Sequence, residues 1–160
     1  MFTFGGRSAD SDKLSNVELS IFGPNKFLNC RIPHLPEPVT KHATVKTNIG
    51  IITCGGFSGN FEKRCYKLAS NNSWEAFPKL NEGRTSFAMG EGSGKLFAIG
   101  GTFPEQRRSM EWINLNNGTR WTKEYLNFSS EHNCMTKFNR THLILTGGIM
   151  KNKVSIITET

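Results

Sequence analysis

Four Gly-Gly doublets, Gly5-Gly6, Gly55-Gly56, Gly100-Gly101 and Gly147-Gly148, divide the 160-residue chain at intervals of 50, 45 and 47 residues. Chance does not readily space four doublets so evenly. A period of this length marks an array of structural repeats, each too small to bury its apolar surface without a neighbour. The residues before each doublet agree as well. Phe2, Ile52, Phe97 and Ile144 stand three before the first glycine, and Met1, Ile51, Leu96 and Leu143 stand four before it. Adjacent large apolar residues point to opposite sides of a strand, so both sides must be covered. A short run of this kind bounded by glycine reads as a strand inside stacked sheets.

A second strand precedes each of the last three doublets across a turn. His42 to Val45 leads through Lys46-Thr47-Asn48, Ser86 to Met89 through Glu91 to Gly94, and Asn133 to Thr136 through Asn139-Arg140. Turn residues that tolerate positive φ make these hairpins. A third strand follows each doublet, at Val17 to Phe22, Cys65 to Leu68, Met110 to Leu115 and Val154 to Ile157. A fourth is carried by Trp74, by Trp121 and, more weakly, by Phe27 to Ile32. One unit is therefore four short antiparallel strands in about 47 residues, and a sheet that small must stack on copies of itself, as propeller blades do.

Composition narrows the alternatives. Sixteen glycines and six prolines are spread along the chain, and no long stretch both lacks them and repeats at helical period, so long helices are excluded. No apolar run approaches the roughly 20 residues of a membrane span, and the opening residues lack a secretory pattern, so a cytoplasmic location is expected. Twenty Lys and Arg against 13 Asp and Glu give a net charge of +7. That excess suits scattered surface lysines or a face for an acidic peptide. Nucleic acid is not favoured, because the densest basic clusters, Lys63-Arg64 and Arg107-Arg108, are small. Cys30, Cys54, Cys65 and Cys134 form no Cys-x-x-Cys pair, which leaves a zinc site unsupported. Free thiols are the expectation. A Cys54–Cys65 disulfide is the alternative, and it requires the two residues to be directly opposed on adjoining strands. Sequons at Asn71, Asn117, Asn127 and Asn139 do not settle the compartment.

The doublet, the apolar strand before it and a Trp 18 to 20 residues after it resemble the kelch repeat. Asn72 to Leu80 followed by Arg84 looks like a kelch fourth strand and its exit loop. Leu80 to Ala88 aligns with Leu35 to Ala43 at an offset of 45. The resemblance covers nearly the whole chain and implies an all-β kelch propeller of about three to four four-stranded antiparallel blades, at roughly 1–36, 37–81, 82–128 and 129–160. Gly5, Gly6, Gly55, Gly56, Gly100, Gly101, Gly147, Gly148, Trp74 and Trp121 are then structural. The glycines let the chain bend under a neighbour where a Cβ would clash, and the tryptophans supply buried area between blades. The pattern is uneven: the first unit has no Trp, and Tyr66 is the nearest match to the usual third-strand Tyr. Strands tally as three, four, four and three. An incomplete ring of this kind suits a piece of a longer kelch protein, two copies joining, or an irregular four-bladed closure.

No motif for a nucleophile, a metal or a cofactor is present. Some kelch-like propellers are copper oxidases with a Cys–Tyr cross-link. Here Cys65 and Tyr66 are strand neighbours and point apart, while His132 and His142 flank a hairpin and could approach each other. A non-enzymatic protein-interaction module is the expectation, with a kelch-fold oxidase or a secreted adhesion protein as alternatives. By resemblance to kelch proteins that capture acidic peptides, Arg7 occupies the arginine position after a doublet and Arg84 that of an inter-blade loop. Phe57, Phe103, Arg107 and Arg108 lie on neighbouring doublet loops and complete the candidate partner surface. Family association further implies a substrate-recognition role in a ubiquitin-ligase adaptor. Self-association to complete the ring is the remaining partner expectation.

Overall fold

The computed structural model describes residues 2–6, 14–22, 27–139, 142–147 and 155–158. Its strands, in chain order, are β1(Phe2–Gly6), β2(Leu14–Phe22), β3(Phe27–Arg31), β4(Ala43–Thr47), β5(Gly50–Cys54), β6(Cys65–Leu68), β7(Trp74–Phe77), β8(Ala88–Gly92), β9(Lys95–Ile99), β10(Ser109–Asn114), β11(Thr122–Tyr125), β12(Asn133–Lys137), β13(His142–Gly147) and β14(Ser155–Thr158). One helical turn, α1(Pro104–Arg107), lies between β9 and β10. The described strands form antiparallel sheets of three, four, four and three, ordered β1-β2-β3, β4-β5-β6-β7, β8-β9-β10-β11 and β12-β13-β14. The architecture is all-β, and the tally matches the sequence expectation strand for strand. These sheets are called blades 1 to 4 below.

Blades stack through their first strands, with β8 packed against both β4 and β12. Side-chain alternation then sends successive residues into different cores. Leu96 and Ala98 join Ile52, Leu80, Met89, Ile113 and Trp121 between blades 2 and 3. Phe97 and Ile99 join Ala88, Leu143 and Leu145 between blades 3 and 4. This is why apolar residues occupy consecutive positions before the two middle doublets: β5 and β9 are covered on both faces.

The doublets act as hinges against the next blade. Gly55 and Gly100 take φ of +65° and +77°, where side chains are strained. A Cβ on Gly55 would meet the Arg84 carbonyl and the Phe87 ring, and one on Gly100 would meet the Ser130 carbonyl. In the same places Gly56 donates its N–H to Arg84 O at 2.7 Å, and Gly101 donates to Ser130 O at 3.1 Å. The tryptophans repeat a contact too. Trp74 Nε1 donates to Pro33 O at 2.9 Å and Trp121 Nε1 to Pro78 O at 2.7 Å, each bolting its outer edge to the preceding unit's exit loop.

Two expectations are corrected. Cys54 and Cys65 are not free thiols: they are register partners, their Cα atoms lie 4.1 Å apart, and they form a disulfide. His132 and His142 do not approach each other. In the β12–β13 pairing Asn133 faces Gly147 and Lys137 faces Leu143, so the two histidines sit at opposite ends of the hairpin. Their partners are local, Glu131 for His132 at 3.4 Å and Asn139 for His142 at 3.0 Å. Arg7 and Gly148 lie outside the described residues. No described helix is long and apolar enough to cross a membrane, which says nothing of a β-barrel.

Candidate functional site

The loops after the doublets and the loops between blades lace into one surface. Thr40 and Phe57 exchange both backbone bonds, at 3.1 and 2.8 Å. Glu62 O then accepts from Arg84 N at 3.2 Å, and at the equivalent place in blade 3 Arg107 O accepts from Ser130 N at 2.8 Å. A second ladder runs beside it. Lys41, Ser86 and His132, at matching positions of three blades, all have positive φ of 54° to 55°. Ser86 N donates to Lys41 O at 3.0 Å and His132 N donates to Ser86 O at 2.9 Å. Left-handed backbone costs a non-glycine residue roughly 1–2 kcal/mol. Here that strain aims the Ser86 and His132 N–H groups at the preceding blade.

On this scaffold three phenylalanines from two blades converge. The Phe57 and Phe61 ring centroids are 5.6 Å apart, and Phe61 and Phe103 meet edge to face at 4.5 Å. Phe61 is 42% exposed and Phe103 40%, although both are large apolar side chains. A hollow of about 410 Å³ opens beside them, bounded by Lys63, Glu82, Glu105 and Gln106. Gln106 holds the loop: its side-chain oxygen accepts from Phe103 N at 3.4 Å, and its amide donates to Gly83 O. Sequence reasoning named Phe57 and Phe103 and missed Phe61. The signal was present, because a large apolar residue in a glycine-rich doublet loop has no strand to bury it.

Arg84 stands elsewhere. Its side chain is fully buried, with Nε 3.0 Å from the equally buried Glu111. Nη1 donates to Gly100 O at 2.8 Å and Ser109 O at 3.2 Å, and Nη2 to Ser109 Oγ at 2.8 Å. Glu111 also accepts from Asn81 N at 2.6 Å and Glu82 N at 3.2 Å. One buried ion pair thus ties the loop entering blade 3 to that blade's doublet and third strand. With its donors taken up inside the chain, Arg84 presents no guanidinium to a partner, contrary to the placement expected from the sequence. Arg107 is half-buried and paired with Glu131 at 2.6 Å. Arg108 is exposed, while its carbonyl accepts from Leu126 N at 2.7 Å.

Between the chain entering blade 2 and the blade 2 doublet loop lies a much smaller hollow, about 20 Å³, lined by Leu35, Glu37, Arg64 and Tyr66 among others. Arg64 bridges Glu37 and Glu62, and the Glu62 hydrogen bond raises its pKa. Burial raises that of Tyr66. Among the described residues no group of three or more His, Cys, Asp or Glu could hold a metal ion. Cys65, the thiol a Cys–Tyr cofactor would need, is already bonded to Cys54.

The described strands thus form stacked antiparallel sheets whose loops lace into one face. No protein-family model matches the chain. It is similar to alpha-scruin of Limulus polyphemus, 27% identical across 100% of the chain and 19% of that protein. It is also similar to kelch-like protein 11 of Homo sapiens and of Mus musculus, 28% identical to each over 63% of the chain and 14% of theirs. The chain thus spans about a fifth or less of the length of the curated relatives it matches.

Proposed function

We propose that the chain is a kelch-type, non-enzymatic protein–protein interaction module that meets its partner with the loop face of blades 2 and 3. The observation that carries this is the Phe61–Phe103 pair, two exposed aromatic rings held edge to face beside a hollow. Exposed aromatic residues over a rigid base are the usual anchors of protein interfaces. Arg108 supplies an exposed charge on the same doublet loop, and the Phe57 ring supports Phe61 from behind. The similarity to kelch-like protein 11 supports the kelch reading. Substrate recognition for a ubiquitin ligase is the finer role we assign to this face, by resemblance to kelch adaptors.

Affinity capture from cells should be compared for the wild-type chain, Phe61→Ser/Phe103→Ser and Tyr125→Ser/Phe138→Ser. The last pair removes exposed aromatics that are not part of the Phe57, Phe61 and Phe103 cluster. A partner retained by wild type and the last variant but lost with the first, and bound directly once purified, is the expected result. Equal capture by all three would move the interface off the loop face. The adaptor role further requires that this partner be ubiquitinated in a manner that depends on the same two phenylalanines.

A further inference from the structure

We infer that a basic cleft between blades 2 and 3 takes an acidic segment of a protein partner, separately from the aromatic loop face. The cleft, about 470 Å³ and open to solvent, lies between the end of β7 and the turn before β11. Lys63, Lys79 and Arg120 line it together with Asn81 and Thr119, and Leu80 and Trp121 form its wall. Three features mark it as a receptor for negative charge. First, no carboxylate is among its lining residues. Second, its cations are uncommitted, whereas six others among the described residues are taken up by ion pairs. Arg64, Lys67, Arg84, Arg107, Lys123 and Lys137 are each paired with a glutamate. Among the described residues Lys79 and Arg120 have no ion pair, and Lys63 Nζ only donates to Asn81 O at 2.8 Å. Third, the base is rigid, because Asn81 is fixed by Glu111 through its N–H and by Trp121 O through its side chain at 2.8 Å.

Unpaired like charges brought together from segments on two blades repel one another, and an anion between them relieves that repulsion. The cleft's volume of about 470 Å³ falls within the range of about 300–1,000 Å³ typical of ligand sites, far more than a single phosphate fills. Cations supplied by three separate segments suit a run of carboxylates better than one focal anion. The cleft borders the aromatic hollow through Lys63, which lines both. The inference extends the interaction-module reading, but it rests on its own cations and can fail while that reading stands.

The test uses a fluorescein-labelled octaglutamate peptide, with fluorescence anisotropy as the readout. Wild type should bind it with an affinity that falls as salt rises. Lys79→Glu/Arg120→Glu should weaken binding at least about tenfold, roughly 1.4 kcal/mol. Lys41→Glu/Lys46→Glu makes the same change in net charge at exposed cations outside the cleft and should leave most of the binding intact. Phe61→Ser/Phe103→Ser should bind octaglutamate as wild type does, which separates failure of the cleft from failure of the loop face. Equal loss in both charge-reversal variants, or no binding by wild type, would overturn the inference. So would tighter binding of single-stranded DNA of equal charge that depends on Lys79 and Arg120, since the cleft would then belong to nucleic acid. Circular dichroism melts of the cleft variant guard against unfolding, and Lys79→Gln/Arg120→Gln offers a milder second variant with the same expected direction.

Discussion

Blades 2 and 3 share a backbone plan and differ in what fills it. At the position before the doublet and its register partner, blade 2 has Cys54 and Cys65 and joins them covalently. Blade 3 has Ile99 and Met110 there. One residue further along the third strand, blade 2 has Tyr66 and blade 3 has Glu111; in the entering loops, Val39 corresponds to Arg84. So one blade is clamped by a disulfide and the next by a buried ion pair. His42 of blade 2 corresponds to the buried Phe87 of blade 3. Glycines and tryptophans define the repeat, while the interior clamps are chosen blade by blade.

The largest difference should come from the tryptophans. Trp121 is 4% exposed and meets Phe77 edge to face, whereas Trp74 is only half-buried. Trp121→Ala should cost about 4 kcal/mol in urea unfolding and Trp74→Ala about half as much. Equal costs would erase that part of the contrast.

Next comes the disulfide. It closes a loop with a sequence separation of 11, and a loop of that size is worth slightly less than the roughly 3 kcal/mol assigned to 15 residues. Dithiothreitol should lower wild-type stability by about 2–3 kcal/mol. It should speed amide exchange in β5 and β6 before β9 and β10, and leave Cys54→Val/Cys65→Val unaffected.

A smaller contrast is acid sensitivity. His42 Nδ1 is buried without a hydrogen-bond partner in the described structure, and burial lowers its pKa from 6.5 to about 4. Between those values the unfolded chain binds a proton that the folded chain refuses, so stability falls as pH drops from 6.5 and levels off below about 4. The loss is at most about 3 kcal/mol. His42→Phe, copying blade 3, should abolish this part of the slope, which calorimetric melts from pH 7 to pH 4 would show against wild type.

The smallest effect concerns the strained ladder. Ser86→Gly should change stability by less than about 1 kcal/mol, because relief of left-handed strain offsets glycine's entropy. Ser86→Val should be clearly destabilising.

Much of this plan was legible in the sequence because it recurs. Doublet spacing located the second strand of each blade, and paired apolar residues showed that both faces of β5 and β9 are covered. What the repeat could not reveal are contacts made once. Arg84 reads as a loop arginine until Glu111, 27 residues later, is seen beneath it. The cysteine pair needed strand register, which composition does not supply. Phe61 gains its meaning from Phe103, a neighbour 42 residues away brought close only by blade stacking. The basic cleft likewise draws Lys63, Lys79 and Arg120 from segments that share no local pattern.

The central claim is that Arg84 belongs to the blade interior and the aromatic loop tips to the partner. A double-mutant cycle on Arg84→Met and Glu111→Leu, read by urea unfolding, tests it most directly. Each single variant strands a buried charge and should cost about 3–5 kcal/mol, while the double variant should cost clearly less than the sum of the two. Additive effects, or an Arg84→Met variant as stable as wild type, would put Arg84 back at the surface and contradict the account.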